Sequence, residues 1–562
     1  MTELVRDQVA AFIADGLQSA QDAGALPEFE VPEIVVERPR QSEHGDYASP
    51  VCLRLTREAR MSPREIATRV VEHLPSAPFV GTVVVAGSGY INVTLDTVWL
   101  AAQVQEILAA GEHWGAADVG RGARVQVEFV SANPTGPIHI GSVRNAVIGD
   151  ALASVLASAG YNVEREYYVN DAGSQVRKFG ESLFACYAQA LGQNEPFPQD
   201  GYRGYYVVEM GQQIARQYGD RYLRMPRSEA IQALGTQGIT RMLDGARQDL
   251  AELGVEFDTW FHQRSLHESG LLDQVLQILR DKGYIVERDG AVWFTTPDLD
   301  ADAVVIRSPD VIPEPDERPT YFASDIPYVW NKLVERGFDR AIYVWGPDHH
   351  GDVPRVKAAA KALGLDPERV IVILYQMVNL KRGGEHVRMS KRTGEFVTLR
   401  ELLDEVGRDP IRFMLLTRTV DATIDFDLDL AVEQSEQNPV YYVQYAHARI
   451  ASILRHAADL GWDLDVPGDL RLLTHESELA LLRKMLELPE VVTLAAVQLA
   501  PHHLTFYAQD LAAVFHAFYR DCRVVAPEEP ERTQARLMLA QAVRLTLAKA
   551  LSLLGVTAPE RM

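Results

Sequence analysis

The order of apolar and polar residues changes twice along the chain and divides it into three parts. Residues 1–115 mix amphipathic helical patterns with strand-like runs such as EIVVERP, TVVVAGSGY and INVTL. Residues 116–429 alternate apolar strands with helices, which is typical of a parallel sheet with crossover connections. Residues 430–562 hold almost only Leu-, Ala- and Val-rich helical patterns. We predict an N-terminal α/β module, an α/β core and a C-terminal all-α bundle.

One glycine pair within the first part allows two interpretations. Gly87 and Gly89 form a GSG sequence between two strand-like runs. A phosphate-binding loop would continue into a helix, whereas INVTL, which follows, has a strand pattern. The pattern therefore favours a hairpin turn.

Length and charge narrow the class of protein. A chain of 562 residues is too long for one hydrophobic core, so several domains are expected. The net charge of -23 argues weakly against nucleic-acid binding, but a local basic face would still permit it. One candidate face is residues 532–550, which contain Arg532, Arg536, Arg544 and Lys549 and no acid. The alternative is an ordinary solvated helix face.

The N-terminus and the cysteines point to a reducing compartment. The first residues form an amphipathic pattern broken by charges, unlike a signal peptide, and no uncharged apolar stretch of about 18 residues suggests a membrane span. Cys52, Cys186 and Cys522 are far apart and none belongs to a CxxC motif. Neither a disulfide framework nor bound zinc is indicated. We expect a cytoplasmic protein without protein-bound zinc.

The stretch SANPTGPIHIGSVRNAVIGD, Ser131–Asp150, lies between an apolar strand and a helical pattern that Gly160 ends. A further strand-like run, YNVEREYYV, follows. In open parallel sheets, nucleotides bind at such strand-to-helix junctions, against the free N–H groups of the helix. We predict that a flat ring lies on the backbone of Gly141 and that His139 faces a phosphate. The alternative is a rigid loop with a capping histidine.

A second stretch, KRGGEHVRMSKRTGEF, is rich in glycine and cations. A loop carrying Arg382, Arg388, Lys391 and Arg392 suits a polyphosphate and can stabilise charge during its transfer. After it, Thr398 with Glu401 three residues on predicts a capping box at a helix start. The alternative is a basic surface hairpin.

Together the two stretches resemble the HIGH and KMSKS signatures of class I aminoacyl-tRNA synthetases. They stand here as residues 139–142 (HIGS) and 388–392 (RMSKR). Ser142 replaces the last histidine and Arg388 the first lysine, while Lys391, the family's main catalytic lysine, is kept.

More of the chain is similar to one branch of that class, the arginyl-tRNA synthetases. The similarity runs in order through nearly the whole chain, which makes it more specific than two short signatures. The matching stretches are HGDYAS, VEFVSANPTGPIHIGSVRNA, YYVNDAGSQV, YFASDIPYVWNK, YVWGPDHHGD, NPVYYVQYAHARI and LLGVTAPERM.

The resemblance implies an architecture and a reaction. The architecture is a module contacting the tRNA elbow (1–115), a Rossmann-type catalytic domain with connective insertions (116–429) and a helical anticodon-binding domain (430–562). The reaction is ATP-dependent ligation of L-arginine to arginine tRNA through arginyl-adenylate, with Mg²⁺ on the phosphates. The implied catalytic residues are His139, Ser142 and Lys391. The implied ATP-binding residues are His139, Gly141, Ser142, Met389, Ser390, Lys391 and Arg392.

A planar guanidinium calls for a carboxylate in bidentate geometry and a flat or hydrogen-bonding neighbour. Tyr321 and Asp325 are four residues apart, so a helical turn places them on one side. Ser324 is a plausible N-cap, and Pro327 is then acceptable in the first turn. The resemblance assigns guanidinium binding to Tyr321 and Asp325. The alternative is that Asp325 only stabilises the helix start, where its negative charge interacts favourably with the helix dipole.

Further pocket residues are expected around these two. Ser131 and Asn133 are candidates for the α-amino and carboxylate groups of arginine. Asp348 and His349, which follow the strand AIYVW, are expected to line the pocket or contact ribose. A metal site is the less favoured alternative, because His349 and His350 would point to opposite sides of an extended segment.

Two kinds of rival remain open. A nucleotidylyltransferase or a cysteinyl-type synthetase shares the HxG pattern, but the first does not need a helical C-terminal third and the second uses cysteine-bound zinc. A non-catalytic tRNA-binding relative would be expected to lose His139 or Lys391. The expected partners are arginine tRNA, L-arginine and ATP, without a membrane, and the chain is expected to act as a monomer.

Overall fold

The computed structural model describes residues 4–312, 314–387 and 397–562. The chain begins with a small α/β unit whose elements are α1 (Val5–Asp22), β1 (Tyr47–Ser49), α2 (Val51–Arg54), α3 (Thr56–Ala59), α4 (Pro63–Glu72), β2 (Val80–Ala86), β3 (Tyr90–Leu95) and α5 (Thr97–Ala110). Strand β3 lies between β1 and β2 and pairs antiparallel with both. Helices α1 and α4 pack together, and α4 covers β2 and β3.

The glycine pair of this unit forms the predicted hairpin turn. Strands β2 and β3 pair on either side of it, and Gly87 and Gly89 have φ values of 50° and 134°. Glycine adopts such values without steric cost. The strand expected from EIVVERP is wrong, because within that run only Glu37 forms a β-bridge, to Ala48.

The middle of the chain supplies the central sheet and its surroundings. Its elements are β4 (Arg124–Glu128), α6 (Ile140–Ser158), β5 (Asn162–Val169), α7 (Ser174–Ala190), α8 (Tyr205–Tyr218), α9 (Arg227–Leu253), β6 (Thr259–His262), α10 (Arg264–Glu268), α11 (Leu271–Asp281), β7 (Ile285–Arg288), β8 (Ala291–Phe294), β9 (Ala303–Ile306), α12 (Tyr321–Trp330), β10 (Arg340–Trp345), α13 (Val353–Leu363), β11 (Val370–Leu374), β12 (Val378–Arg382), β13 (Glu385–His386), α14 (Leu399–Val406), α15 (Arg408–Leu415), β14 (Ile424–Asp427) and α16 (Leu428–Val432).

Five of these strands form one parallel sheet in the order β11-β10-β4-β5-β6. The chain builds outward from β4 to β6 on one side and later adds β10 and β11 on the other. The carboxyl end of β4 therefore lies where the strand order reverses, the place where ligands bind in open parallel sheets. The predicted Rossmann-type α/β core is confirmed.

Two three-stranded sheets accompany it. Strands β7, β8 and β9 form an antiparallel sheet inserted between β6 and α12. Strand β12 pairs antiparallel with β13 and parallel with β14. This second small sheet leads directly into the RMSKR sequence.

Helix α6 follows the central strand and is buried along almost its whole length. By length and composition it is the one helix in the described part of the chain that could cross a membrane, but 83% of its apolar window is buried within the protein. It ends at Ser158, and Gly160 follows with a φ of 85°, as the predicted stop requires.

The last part of the chain is helical, as predicted. Its helices are α17 (Pro439–Asp459), α18 (Glu476–Met485), α19 (Leu488–Val497), α20 (His502–Asp521) and α21 (Pro530–Leu553). The Asn-Pro pair starts α17, because the Asn438 side chain accepts hydrogen bonds from the N–H groups of Val440 and Tyr441.

The basic stretch at 532–550 forms most of α21, which packs against α17, α18 and α20. Arg536 is 9% exposed and donates to Glu478, and burial lowers the pKa of Lys549. Arg532 and Arg544 lie within 4 Å of Glu529 and Glu560. Both interpretations of this stretch, a basic nucleic-acid face and a solvated face, are wrong: α21 is an inner helix of the bundle.

The first and last parts of the chain touch. Helix α5 packs against α18 and α21. Arg38 and Tyr47 both hydrogen-bond the carboxylate of Glu490, and Arg483 pairs with Asp46 at 2.7 Å. The boundaries 1–115, 116–429 and 430–562 stay a prediction.

Candidate active site

The loop after β4 is held in an uncommon backbone conformation. Val130 and Ser131 have φ values of 65° and 40°, a region that side chains other than glycine rarely enter. Asn145 of α6 fixes the loop, because its Oδ1 accepts from Val130 N at 2.7 Å and its Nδ2 donates to Val344 O at 2.8 Å. One asparagine thus joins α6, the end of β4 and the end of β10.

Ser131 and Asn133 both lie in this loop, at the switch point. The Ser131 hydroxyl donates to Glu128 Oε1 and accepts from Tyr168 N, both at 3.1 Å. The exposed Asn133 accepts from Asn170 Nδ2 at 3.0 Å. Ser131 is therefore engaged inside the site, whereas Asn133 stands at its rim.

His139 occupies the N-cap position of α6, but its side chain makes no capping hydrogen bond to the helix. A Cβ atom added to Gly141 would lie 3.1 Å from His139 Cε1. The imidazole therefore covers Gly141, where a flat ligand ring was expected. Ser142, in the same first turn, is buried.

The start of α6 is joined to the start of α14. Ile140 N donates to Val397 O at 3.3 Å, and Leu399 N donates to Ile138 O at 2.7 Å. The capping box predicted for Thr398 and Glu401 is present. The five residues of the second signature lie outside the described residues: Arg388, Met389, Ser390, Lys391 and Arg392.

Helix α12 carries the predicted guanidinium-binding pair, but it begins earlier than predicted. Thr320 is the N-cap, since its side chain accepts from Ala323 N. Ser324 is instead buried and accepts from Gln263 Nε2 at 2.8 Å, and Pro327 lies inside the helix. The predicted N-cap at Ser324 and the first-turn position of Pro327 are both wrong.

Tyr321 and Asp325 lie one turn apart on α12. Tyr321 is 57% exposed, and its hydroxyl accepts from Gln175 Nε2 at 2.6 Å. Asp325 is partly buried, and no side chain in the described part of the chain forms an ion pair with it. Burial raises its pKa to about 8, with further contributions from the negative charges of Asp352 and Glu128. A carboxylate in this position favours a cationic ligand.

Beneath Asp325 lies a buried ammonium group. Lys332 is fully buried, and its Nζ donates to Glu128 Oε2 at 2.6 Å. The rings of Tyr328 and Tyr343 lie 3.9 and 3.6 Å from the same Nζ. Lys332 thus forms its ion pair with Glu128 and acts on Asp325 as a more distant positive charge, which lowers the pKa of Asp325 less than burial raises it. We refer to Glu128, Tyr321, Asp325 and Asp352 as the acidic pocket.

Asp348 and His349 lie beside Asp352 of the acidic pocket. Residues Pro347–His349 form a 3₁₀ turn, so the expectation of an extended segment there is wrong. His349 Nδ1 lies 3.3 Å from Asp352 Oδ2, and Asp352 also pairs with Arg355. Within 4–312, 314–387 and 397–562, no three His, Cys, Asp or Glu side chains are grouped so that they could hold a metal ion.

Comparison with known proteins decides the family. Three family models match: the arginyl tRNA synthetase N terminal domain at residues 7–95, the class I (R) tRNA synthetase catalytic domain at 103–416 and the DALR anticodon binding domain at 443–562. The arginine–tRNA ligase of Dehalococcoides mccartyi is 47% identical over 99% of each chain, and that of Moorella thermoacetica 48% over 99% of this chain and 98% of its own.

The chain belongs to the arginyl-tRNA synthetase family. The structure of the Thermus thermophilus arginyl-tRNA synthetase superposes over the whole of both chains with a TM-score of 0.75 and 26% identity. A methionyl-tRNA synthetase of Mycobacterium tuberculosis, at 14% identity and a TM-score of 0.54, shares the fold over 77% of this chain. Membership of the arginyl-tRNA synthetases sets aside nucleotidylyltransferases and cysteinyl-type enzymes.

Sequence reasoning missed three members of this arginyl-tRNA synthetase site: Glu128, Lys332 and Asp352. Glu128 carried a weak signal, since it ends an apolar strand three residues before Ser131. Lys332 lies in a π-helical turn, Asn331–Glu335, that continues α12. Such turns are frequent at functional sites, but the sequence gives no pattern for them.

Proposed function

We propose that this protein ligates L-arginine to arginine tRNA by way of arginyl-adenylate. The observation that carries the proposal is the acidic pocket, in which Asp325 forms no ion pair with the described residues. A guanidinium supplies the missing charge and can be held by two parallel hydrogen bonds. The exposed Tyr321 hydroxyl lies one turn away and offers a further polar contact.

The rest of the substrate lies towards the carboxyl end of β4. Ser131 and Asn133 are assigned to the α-amino and carboxylate groups, and Asp348 with His349 to the pocket mouth or the ribose. His139, Gly141 and Ser142 at the start of α6 are assigned to ATP, because the free N–H groups of a helix start favour phosphate. Met389, Ser390, Lys391 and Arg392 are assigned to the triphosphate on the sequence match alone.

The reaction has two transfers. A carboxylate oxygen of arginine attacks the α-phosphorus of ATP, and the bond to the β-phosphate oxygen breaks to release pyrophosphate. The terminal ribose hydroxyl of the tRNA, the 2′-OH, then attacks the acyl carbon, loses its proton and displaces AMP. Mg²⁺ enters as part of the nucleotide substrate, bound by its phosphate oxygens. The protein positions the groups and offsets developing charge, the roles proposed for His139, Ser142 and Lys391.

The tRNA contacts are assigned to the two ends of the chain. In the C-terminal bundle, Tyr441 and Tyr445 stack at 6.1 Å, and the Arg449 guanidinium lies 4.7 Å from the Tyr445 ring and 5.1 Å from the Tyr519 ring. Unpaired bases stack on such rings and cations. We assign this face of α17 and α20, instead of α21, to the anticodon loop, and the N-terminal unit to the elbow.

The cellular setting is part of the proposal. Cys52, Cys186 and Cys522 are buried free thiols, which suits a reducing cytoplasm. We propose a cytoplasmic monomer.

The test is ATP–pyrophosphate exchange with each of the amino acids, with and without tRNA. Exchange should depend on arginine, and Lys391→Ala should slow single-turnover adenylate formation by about 10²-fold, because the transition state loses a cation. The matched control is Lys381→Ala, a lysine of β12 whose Nζ pairs with Asp425 at 2.6 Å. Exchange driven by another amino acid, or by none, would contradict the proposal.

A further inference from the structure

Arg144 is a fully buried cation on α6 whose hydrogen-bond partners are carbonyl oxygens. One terminal nitrogen donates to Gln376 O and Ala422 O, both at 2.7 Å, and the other to Thr419 O at 3.0 Å. Burial lowers its pKa to about 10, so it stays protonated at neutral pH. The planar fork of the guanidinium thus fixes three points of the main chain with one side chain.

The three carbonyls belong to two segments that lead into a sheet. Gln376 precedes β12, and Thr419 and Ala422 precede β14. The segments are paired, since Gln376 N donates to Val420 O at 2.9 Å and the strands continue in parallel from Val378 and Ile424. Arg144 therefore holds the beginnings of β12 and β14 together against α6.

The same end of α6 carries the residues assigned to ATP. Arg144 follows Ser142 by two positions, and Ile140 bonds Val397 at the start of α14. The start of α6 is thus fixed to the chain before β12 and again at residue 397. These two contacts bracket, in the sequence, the segment that contains RMSKR.

We propose that Arg144 is a positioning residue for adenylate formation, which fixes strands β12 and β14 relative to the turn that carries His139 and Ser142. It does not touch substrate, and the inference rests on the proposed function. Displacements of about 1 Å between reacting groups lower rates by about 10²-fold. Loosening Arg144 should therefore lower the rate of activation more than the affinity for arginine, whose pocket lies on α12.

Arg412 provides a matched control. It is also fully buried and donates to the carbonyls of Leu554 at 2.9 Å and of Leu253 and Gly254 at 3.2 Å, besides pairing with Asp150. It joins α15 to the end of α9, to the end of α21 and, through Asp150, to the middle of α6, and it makes no hydrogen bond to the segments that Arg144 holds. Arg412→Lys removes the same kind of buried fork from a place that meets α6 eight residues beyond Ser142, away from the turn assigned to ATP.

The experiment measures single-turnover adenylate formation, the KM values for arginine and ATP, and the melting temperature. Arg144→Lys should lower the rate at saturating substrates by about 10- to 100-fold and leave the arginine KM within about threefold. Arg412→Lys should lower the melting temperature by a similar amount and keep the rate within about threefold. Equal rate losses in the two variants would make Arg144 merely structural and overturn the inference.

A second variant covers the case in which Arg144→Lys does not fold. Thr419 is exposed, and Thr419→Gly frees the main chain that Arg144 holds without opening the core. It should lower the rate a few-fold with unchanged arginine KM. Wild-type rates in every folded variant would overturn the role of Arg144 alone, whereas absence of arginine-dependent exchange in the wild type would overturn the proposed function as well.

Discussion

The acidic pocket and the C-terminal bundle both bury charged side chains, but the pocket leaves one carboxylate, Asp325, without an ion pair among the described residues. In the bundle, Arg536 Nε lies 2.7 Å from Glu478 Oε1, and Arg536 Nη1 donates a hydrogen bond to the carbonyl oxygen of Arg523. In the pocket, Lys332 forms its ion pair with Glu128, and Asp325 has no ion pair with any side chain of the described residues. A carboxylate is thus paired with a cation in the bundle, whereas a carboxylate of the pocket is left without such a pair among the described residues.

The difference separates structure from ligand binding. A balanced buried pair is satisfied in the folded chain, so removing one partner strands the other and destabilises the fold. An unpaired carboxylate is costly to bury as an anion, and the folded protein relieves this cost by keeping a proton on it or by binding a cationic ligand. Removing a buried charge should therefore lower the stability of the fold in the bundle, whereas in the pocket it should weaken ligand binding without lowering stability.

The largest effect is expected in the bundle. Glu478→Gln leaves Arg536 buried without its anion and should lower the free energy of unfolding by about 3–5 kcal/mol. Thermal melting, compared with wild type at the same pH, measures it. The arginine KM should stay within about twofold, since Glu478 belongs to α18, and a raised KM with unchanged melting would undo the contrast.

In the acidic pocket the change is expected in binding. Asp325→Asn should weaken arginine binding by about 2–5 kcal/mol, because the guanidinium loses its counter-charge, with the ATP KM little changed. The pKa of about 8 in the folded protein lies above the ordinary aspartate value of 3.8, so stability falls as the pH rises between these two values, and the Asp325→Asn variant does not have this loss. The variant should therefore melt no lower than wild type at pH 8.5. Equal losses for both substrates would remove Asp325 from the pocket.

The smallest effect is a dependence on pH. With a pKa of about 8, Asp325 holds a proton in the empty pocket at neutral pH and must release it when a guanidinium binds. Arginine affinity should therefore rise by up to about tenfold per pH unit below 8 and level off above. Calorimetric titration between pH 6 and 9 measures this. The arginine affinity of Asp325→Asn should not depend on pH, and a slope that persists in this variant would show that Asp325 is not the titrating group.

Local structure was largely predictable from the sequence. The hairpin at Gly87, the end of α6 before Gly160 and the capping box at Thr398 each depend on neighbours within a few residues. The start of α12 was placed a turn too late because Thr320 and Ser324 are both good N-caps, and only tertiary contact with Gln263 decides between them.

Charge balance was not predictable in the same way. Glu128, Asp325 and Asp352 come from three distant segments, which meet because β4 pairs with β10 and α12 packs against α13. The sequence around Arg536 suggests a basic surface, but its helix lies inside the bundle, where Arg536 pairs with Glu478. Whether a charge is paired depends on the fold and not on the sequence around it.

Helix α5 has a consequence for synthesis on the ribosome. It ends at Ala110, yet it packs against α18, which begins at Glu476, and against α21. At about 5–20 residues per second, its partners emerge on the order of tens of seconds later. During that time its apolar side, with Leu100, Val104 and Ile107, lacks its final cover. A nascent chain stalled before α18 should therefore recruit a chaperone to α5.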